Sequence, residues 1–258
     1  MQYPVSYPLS RLFSGAALLM ASVAIAAPAM ADESTHAQHQ EGAVLSQPKA
    51  GIAADADILA AHVHRDGNTV TFHMTTGGIA GQTKPEPVGA LAGAGVQAYV
   101  WPISLDPSAV GFEGESGILA LVATAHPDFD DTPLYDENRD GDLKNDGADW
   151  HSHWVVLAPT EACGEGALAV KDIPEGEMPA LPATWPGLPL FIDSPGYSPV
   201  FDGPEISLSV PLAADGLSYD GVTAALRVNA NLHAPLLCVT DVFDVASGDL
   251  SLPGEVGQ

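Results

Sequence analysis

Ile58-Leu-Ala-Ala-His-Val-His64 and Thr69-Val-Thr-Phe-His-Met74 flank the tetrapeptide Arg65-Asp66-Gly67-Asn68. Two short alternating runs around a Gly-Asn turn predict a β-hairpin. Pairing His64 with Thr69 places Val63 opposite Val70, Ala61 opposite Phe72 and Leu59 opposite Met74, so one face is wholly apolar. The other face carries His62, His64, Thr69, Thr71 and His73, with His73 diagonal to His62. Three imidazoles on one polar face suit either a transition-metal ion or a solvated outer surface.

Outward from the hairpin the strand signals recur. Val96–Ile103 and Gly117–Thr124 read as buried strands, and Ile206, Leu208, Val210 and Leu212 alternate with polar or proline positions. Val222–Val228 and Leu236–Val245 close the chain, separated by a turn containing His233. No stretch keeps a helical period. The predicted fold is all-β, an antiparallel β-sandwich, immunoglobulin-like in broad architecture, with long Gly/Pro-rich and acidic loops. Gly93-Ala-Gly95-Val-Gln-Ala98 precedes a strand instead of joining a strand to a helix, so it is not a dinucleotide loop.

Residues 126–149 form an acidic loop with nine carboxylates, Asp128, Asp130, Asp131, Asp136, Glu137, Asp140, Asp142, Asp146 and Asp149, opposed by Arg139 and Lys144 alone. Packed like charges repel, so such a run either stays solvated or folds around a cation. Asp136, Asn138, Asp140, Gly141 and Asp142 follow the D-x-[DN]-x-D-G order that brings alternate oxygens to one hard ion. This segment, 136–149, resembles the short calcium loops of the dockerin, thrombospondin type-3 and EF-hand kind. The resemblance implies Ca2+ held by Asp136, Asn138, Asp140 and Asp142. The twelfth position, where an EF-hand has a bidentate Glu, is Gly147, so Asp146 or Asp149 would have to complete the shell.

Directly after the loop comes Trp150-His151-Ser152-His153-Trp154. On a strand, His151 and His153 share one face and could give two imidazoles to Cu2+ or Zn2+. A hydrogen-bonded pair on a half-buried strand is the other reading. His126, before Pro127, is a possible further ligand but fits a turn better. His36 and His39 fall in a polar tail.

The chain of 258 residues has a formal net charge of −25. That excludes nucleic acid and anionic membranes as partners and favours cations. Arg11, the apolar Leu12–Ala27 and Ala29-Met30-Ala31 predict a Sec-type signal peptide over 1–31, cleaved after Ala31, hence a periplasmic or secreted protein without membrane insertion. A disordered N-terminus is expected over 32–56 and a single domain over 57–258. Cys163 and Cys238 predict one disulfide in an oxidising compartment. Residues 174–204, rich in proline and carrying Trp185, Phe191, Tyr197 and Phe201, read as extended cover over a sheet edge.

Three functions fit these readings. The first is an exported metal-binding protein, with calcium in the acidic loop and Cu or Zn at paired histidines. The second is a metal-dependent enzyme with an open His-ligated site. The third is a calcium-stabilised carbohydrate-binding or adhesion module using the Pro/aromatic segment.

Overall fold

Alternation in the sequence becomes β-structure nearly throughout. The computed structural model describes residues 42–213 and 215–256, so the predicted signal peptide, His36 and His39 lie outside the described residues. The strands are, in chain order, β1 (Val44–Leu45), β2 (Ile58–Asp66), β3 (Thr69–Thr76), β4 (Gly95–Pro102), β5 (Ile118–Ala125), β6 (His151–Pro159) and β7 (Leu168–Val170). There follow β8 (Ile192–Asp193), β9 (Val200–Asp202), β10 (Glu205–Pro211), β11 (Ser218–Tyr219), β12 (Val222–Val228), β13 (Leu237–Val245) and β14 (Gly254–Glu255).

A five-stranded antiparallel sheet runs β1-β2-β3-β10-β9. Its central hairpin forms as expected, with a different register: Asp66 pairs with Thr69, His64 with Thr71 and His62 directly with His73. The turn is tighter than the sequence reading assumed, because Gly67 takes a left-handed φ of 61°. The shift is even-numbered, so every side chain keeps its predicted face. Residues 42–56, assigned by sequence to a disordered N-terminus, instead put β1 on the sheet edge and bury Val44 and Ala56. The Asp57 carboxylate accepts the Lys49 N–H at 3.1 Å, which ties the preceding turn down.

The second sheet departs from a plain sandwich. It runs β5-β4-β12-β13-β7-β6-β8, and β5 also pairs with β6, which closes six strands into a barrel. Closure suits β4, β5 and β6, which are buried on both faces along most of their length and so leave no face for water. Outward, Trp101, Leu121 and Trp154 pack on Val63, Phe72 and Met74 of the first sheet, with Phe72 and Trp154 edge to face at 6.4 Å. Inward, Val96, Ala98, Val122, Val155, Ala224 and Leu226 form a separate apolar core. The sandwich expectation holds for one sheet laid on the barrel wall; the immunoglobulin-like arrangement gives way to a barrel.

The barrel seam is short. β13 meets β7 at the single pair Cys238–Ala169, and the disulfide Cys163–Cys238, spanning 75 residues, staples that seam. By chain entropy a closed loop of that length contributes about 4 kcal/mol. The Pro-rich segment adds β8 to the edge of β6 and β9 to the edge of the first sheet. Three of its aromatics turn inward, Phe191 being buried and Tyr197 and Phe201 packing on the core, while Trp185 stays exposed.

Small inward side chains (Ala98, Ala120 and Ala224) leave a cavity of about 460 Å³ inside the barrel.

Candidate metal centre

Period-two geometry on β6 turns His151 and His153 into the barrel, opposite Thr124 and Val122 of β5. Ser152, facing the other way, donates to the Tyr197 carbonyl at 2.6 Å. His126 follows the end of β5 and is fixed by its N–H, which donates to the Gly147 carbonyl at 2.6 Å. The acidic loop brings in the fourth group, Asp131. Asp130 accepts from the Thr132 and Asp146 amides at 2.9 and 2.8 Å, and Ser194 Oγ donates to the Asp131 carbonyl at 2.7 Å. Asp146, fully buried, accepts from the Glu137 and Asn138 amides. The loop thus folds on its own carboxylates and presents Asp131 inward.

His126, Asp131, His151 and His153 are all buried, at 1, 6, 2 and 1 % exposure. The three Nε2 atoms stand 3.2, 3.2 and 3.3 Å from Asp131 Oδ1, and His126 Nε2 is 2.9 Å from His151 Nε2. With metal–ligand bonds of ~2.05 Å, the edge of a tetrahedron is about 3.3 Å. These four distances match edges of one tetrahedral N3O shell, and all four atoms lie within 4.8 Å of one another.

The far side of each ring fixes the tautomer. His126 Nδ1 lies 3.0 Å from the Phe129 carbonyl and His151 Nδ1 2.8 Å from the Asp149 carbonyl. His153 Nδ1 lies 3.2 Å from the Asp193 carbonyl and 3.1 Å from Ser194 Oγ, whose own proton is already given to Asp131. Each Nδ1 therefore donates, which leaves the Nε2 lone pairs aimed at one another and at the carboxylate. Thr124 Oγ1 lies 3.2 Å from His151 Nε2. No hydrogen bond of proper geometry satisfies Asp131 Oδ1 or His153 Nε2. Burial alone would raise the Asp131 carboxyl; positive charge beside it, on His153 and His126 when these are protonated, holds it well below the usual carboxylate range. Four buried ligand atoms with converging lone pairs can be reconciled by one divalent cation.

The hairpin histidines form a second, separate group. His62 and His73 rings stack at 4.2 Å and His64 lies 5.1 Å from His73, and their ligand atoms fall within 4.8 Å of one another. This group is half-buried to exposed, and His73 Nε2 has no hydrogen-bond partner among the described residues. The structure keeps His62, His64 and His73 apart from His151 and His153, so the two sequence pairs do not share an ion. Burial first, then the neighbouring imidazoles, lowers His62 and His73 to about 4. Between pH 6.5 and about 4 the unfolded chain therefore binds protons that the folded hairpin refuses. The contribution of these two histidines to stability in chelator should be lost as pH drops through that window and change no further below it. The His62→Gln/His73→Gln variant should show a shallower fall of melting temperature there; an unchanged slope would count against this account.

In the acidic loop, Asp136 accepts the Asp140 and Gly141 amides at 3.1 and 2.8 Å, Asn138 accepts Asp140 N, and Asp140 accepts Asp142 N. Asn145 binds Asp140 Oδ2, and Asp140 is held below its usual value chiefly by that contact. Asp149 lends its carbonyl to His151. Among the described residues, no three carboxylates of Asp136, Asp140, Asp142, Asp146 and Asp149 gather within 4.8 Å. His233 is exposed and binds the Asn231 carbonyl.

Comparison of the chain with protein-family models, with curated proteins and with solved structures gives no match in any of the three.

Proposed function

We propose that this chain is an exported metal-binding protein whose buried centre holds one zinc ion through His126, Asp131, His151 and His153. The observation that carries the reading is the convergence of four buried ligand atoms while every Nδ1 donates elsewhere. Zinc is favoured over Cu(II) because the spacing fits a tetrahedron and not a square plane. Four protein ligands fill a structural shell, which supports binding over open-site catalysis. The hairpin trio is a second site for Cu or Zn, exposed on one side. The disulfide suits an oxidising compartment and supports export.

Elemental analysis tests the centre. Chelator-stripped protein re-exposed to zinc should retain one equivalent more than the His151→Ala/His153→Ala variant treated alike. Equal stoichiometry in both would remove the assignment.

We further propose calcium in the acidic loop, supported by the order of Asp136, Asn138, Asp140 and Asp142. Asp140→Ala should lower the melting temperature in calcium and leave it unchanged in chelator. Equal loss in both would argue for the amide contacts of Asp140 alone.

A further inference from the structure

The barrel cavity ends at the metal centre. Thr124, His126, Asp131 and His153 belong to its wall, and these side chains are all buried. From there the lining becomes apolar along β4, β5 and β12, through Val122, Val100 and Ala224. The wall then reaches Ile118, Val242 and Leu250, which are 41, 54 and 41 % exposed. These exposed apolar residues mark an open mouth. From Thr124 to Ile118, at ~3.3 Å per residue, β5 runs about 20 Å. The space is thus long, apolar, polar at its closed end and open at the other. Its volume of about 460 Å³ falls among small-molecule sites. Leu250 and Leu252, both on this wall, take left-handed φ values of 58° and 53°. Bulky residues seldom hold such values, and where they do, a binding wall is a common setting.

Charge names the head group. Three neutral imidazoles, one carboxylate and a divalent ion leave a single positive charge in a buried place. A monoanionic carboxylate set beside the filled four-ligand shell, and not in it, would offset that charge. We infer that the barrel binds a single-chain fatty acid, its carboxylate against the metal end and its chain lying toward Ile118 and Leu250. This rests on the zinc reading above.

The test is calorimetric titration of the zinc-loaded full chain with hexanoate, octanoate and dodecanoate, with zinc content measured on the same samples. Each added methylene should tighten binding about fourfold, and dodecanol should bind more weakly than dodecanoate. Stripping the zinc should weaken dodecanoate and leave dodecanol unchanged. Ala224→Phe, or Ala98→Leu if the first fails to fold, narrows the cavity without touching a ligand. Either should keep its zinc and lose dodecanoate affinity at least tenfold. Zinc-loaded protein that shows no chain-length dependence, or no loss in a folded cavity-filling variant, overturns the fatty-acid inference and leaves the metal centre standing. Affinity for dodecanoate that ignores the removal of zinc overturns the placement of the head group. Failure to take up zinc at all refutes the metal reading and, with it, the anchor of the carboxylate.

Discussion

Asp131→Asn is expected to weaken zinc about a hundredfold to a thousandfold while leaving the outline of the site intact. Structural zinc in small domains is held by ~10–16 kcal/mol over four ligands, so one ligand accounts for about 3 kcal/mol. Asp131 is the only anion among the four buried ligands. Its replacement by the isosteric amide leaves the ion facing three neutral rings in a buried place. At free zinc near a thousand times the wild-type dissociation constant, binding should stabilise the native protein by ~4 kcal/mol, or roughly 10 °C in melting temperature. The variant should lose most of that shift at the same free zinc. Comparing the zinc-induced shift within each protein cancels any change in metal-free stability. A full shift in Asp131→Asn would mean that Asp131 is not a ligand.

Gly147→Ala should be nearly as damaging, although Gly147 offers no side chain to any ligand. A Cβ built there would lie 1.7 Å from the Phe129 carbonyl oxygen and 2.5 Å from that of His126. Both obstacles are backbone, so relief requires moving the very turn that aims His126. The substitution should destabilise the fold by about 3 kcal/mol and weaken zinc at least tenfold. Gly141→Ala is the control. Gly141 has a left-handed φ of 93° but nothing within 4 Å of its Cβ position. It should show only the strain of an alanine in that region, about 1 kcal/mol, with zinc uptake unchanged. If both variants behave alike, the close packing of Gly147 is not what positions His126.

Those residues show what could be read from the chain and what could not. The strand period alone put His151 and His153 on one face and Ser152 and Trp154 on the other, because β alternation is a local property. The hairpin faces survived a register error for the same reason, since the slip was by an even number of residues. Barrel closure is not local. It needs β5 to find β6 and the short β7 to bridge to β13, and no run of residues announces a pairing partner. The centre itself was half legible. In sequence, His126 fits a turn before Pro127, and Asp131 is one carboxylate among nine. Nothing in their neighbourhoods distinguishes them, because their role comes from Gly147 and Ser194, far along the chain. A faint signal did exist: His126 closes an apolar strand directly before the stretch densest in acids. Gly147, which sat awkwardly at the twelfth position of a calcium loop, is explained by its packing against two carbonyls.

X-ray absorption at the zinc edge, on protein stripped and reloaded with one equivalent, tests the central assignment most directly. The expected first shell is three imidazole nitrogens and one carboxylate oxygen at ~2.0–2.1 Å, with the imidazole scattering reduced in His153→Ala. A shell of water oxygens, one containing sulfur, or one unaltered by His153→Ala would contradict it.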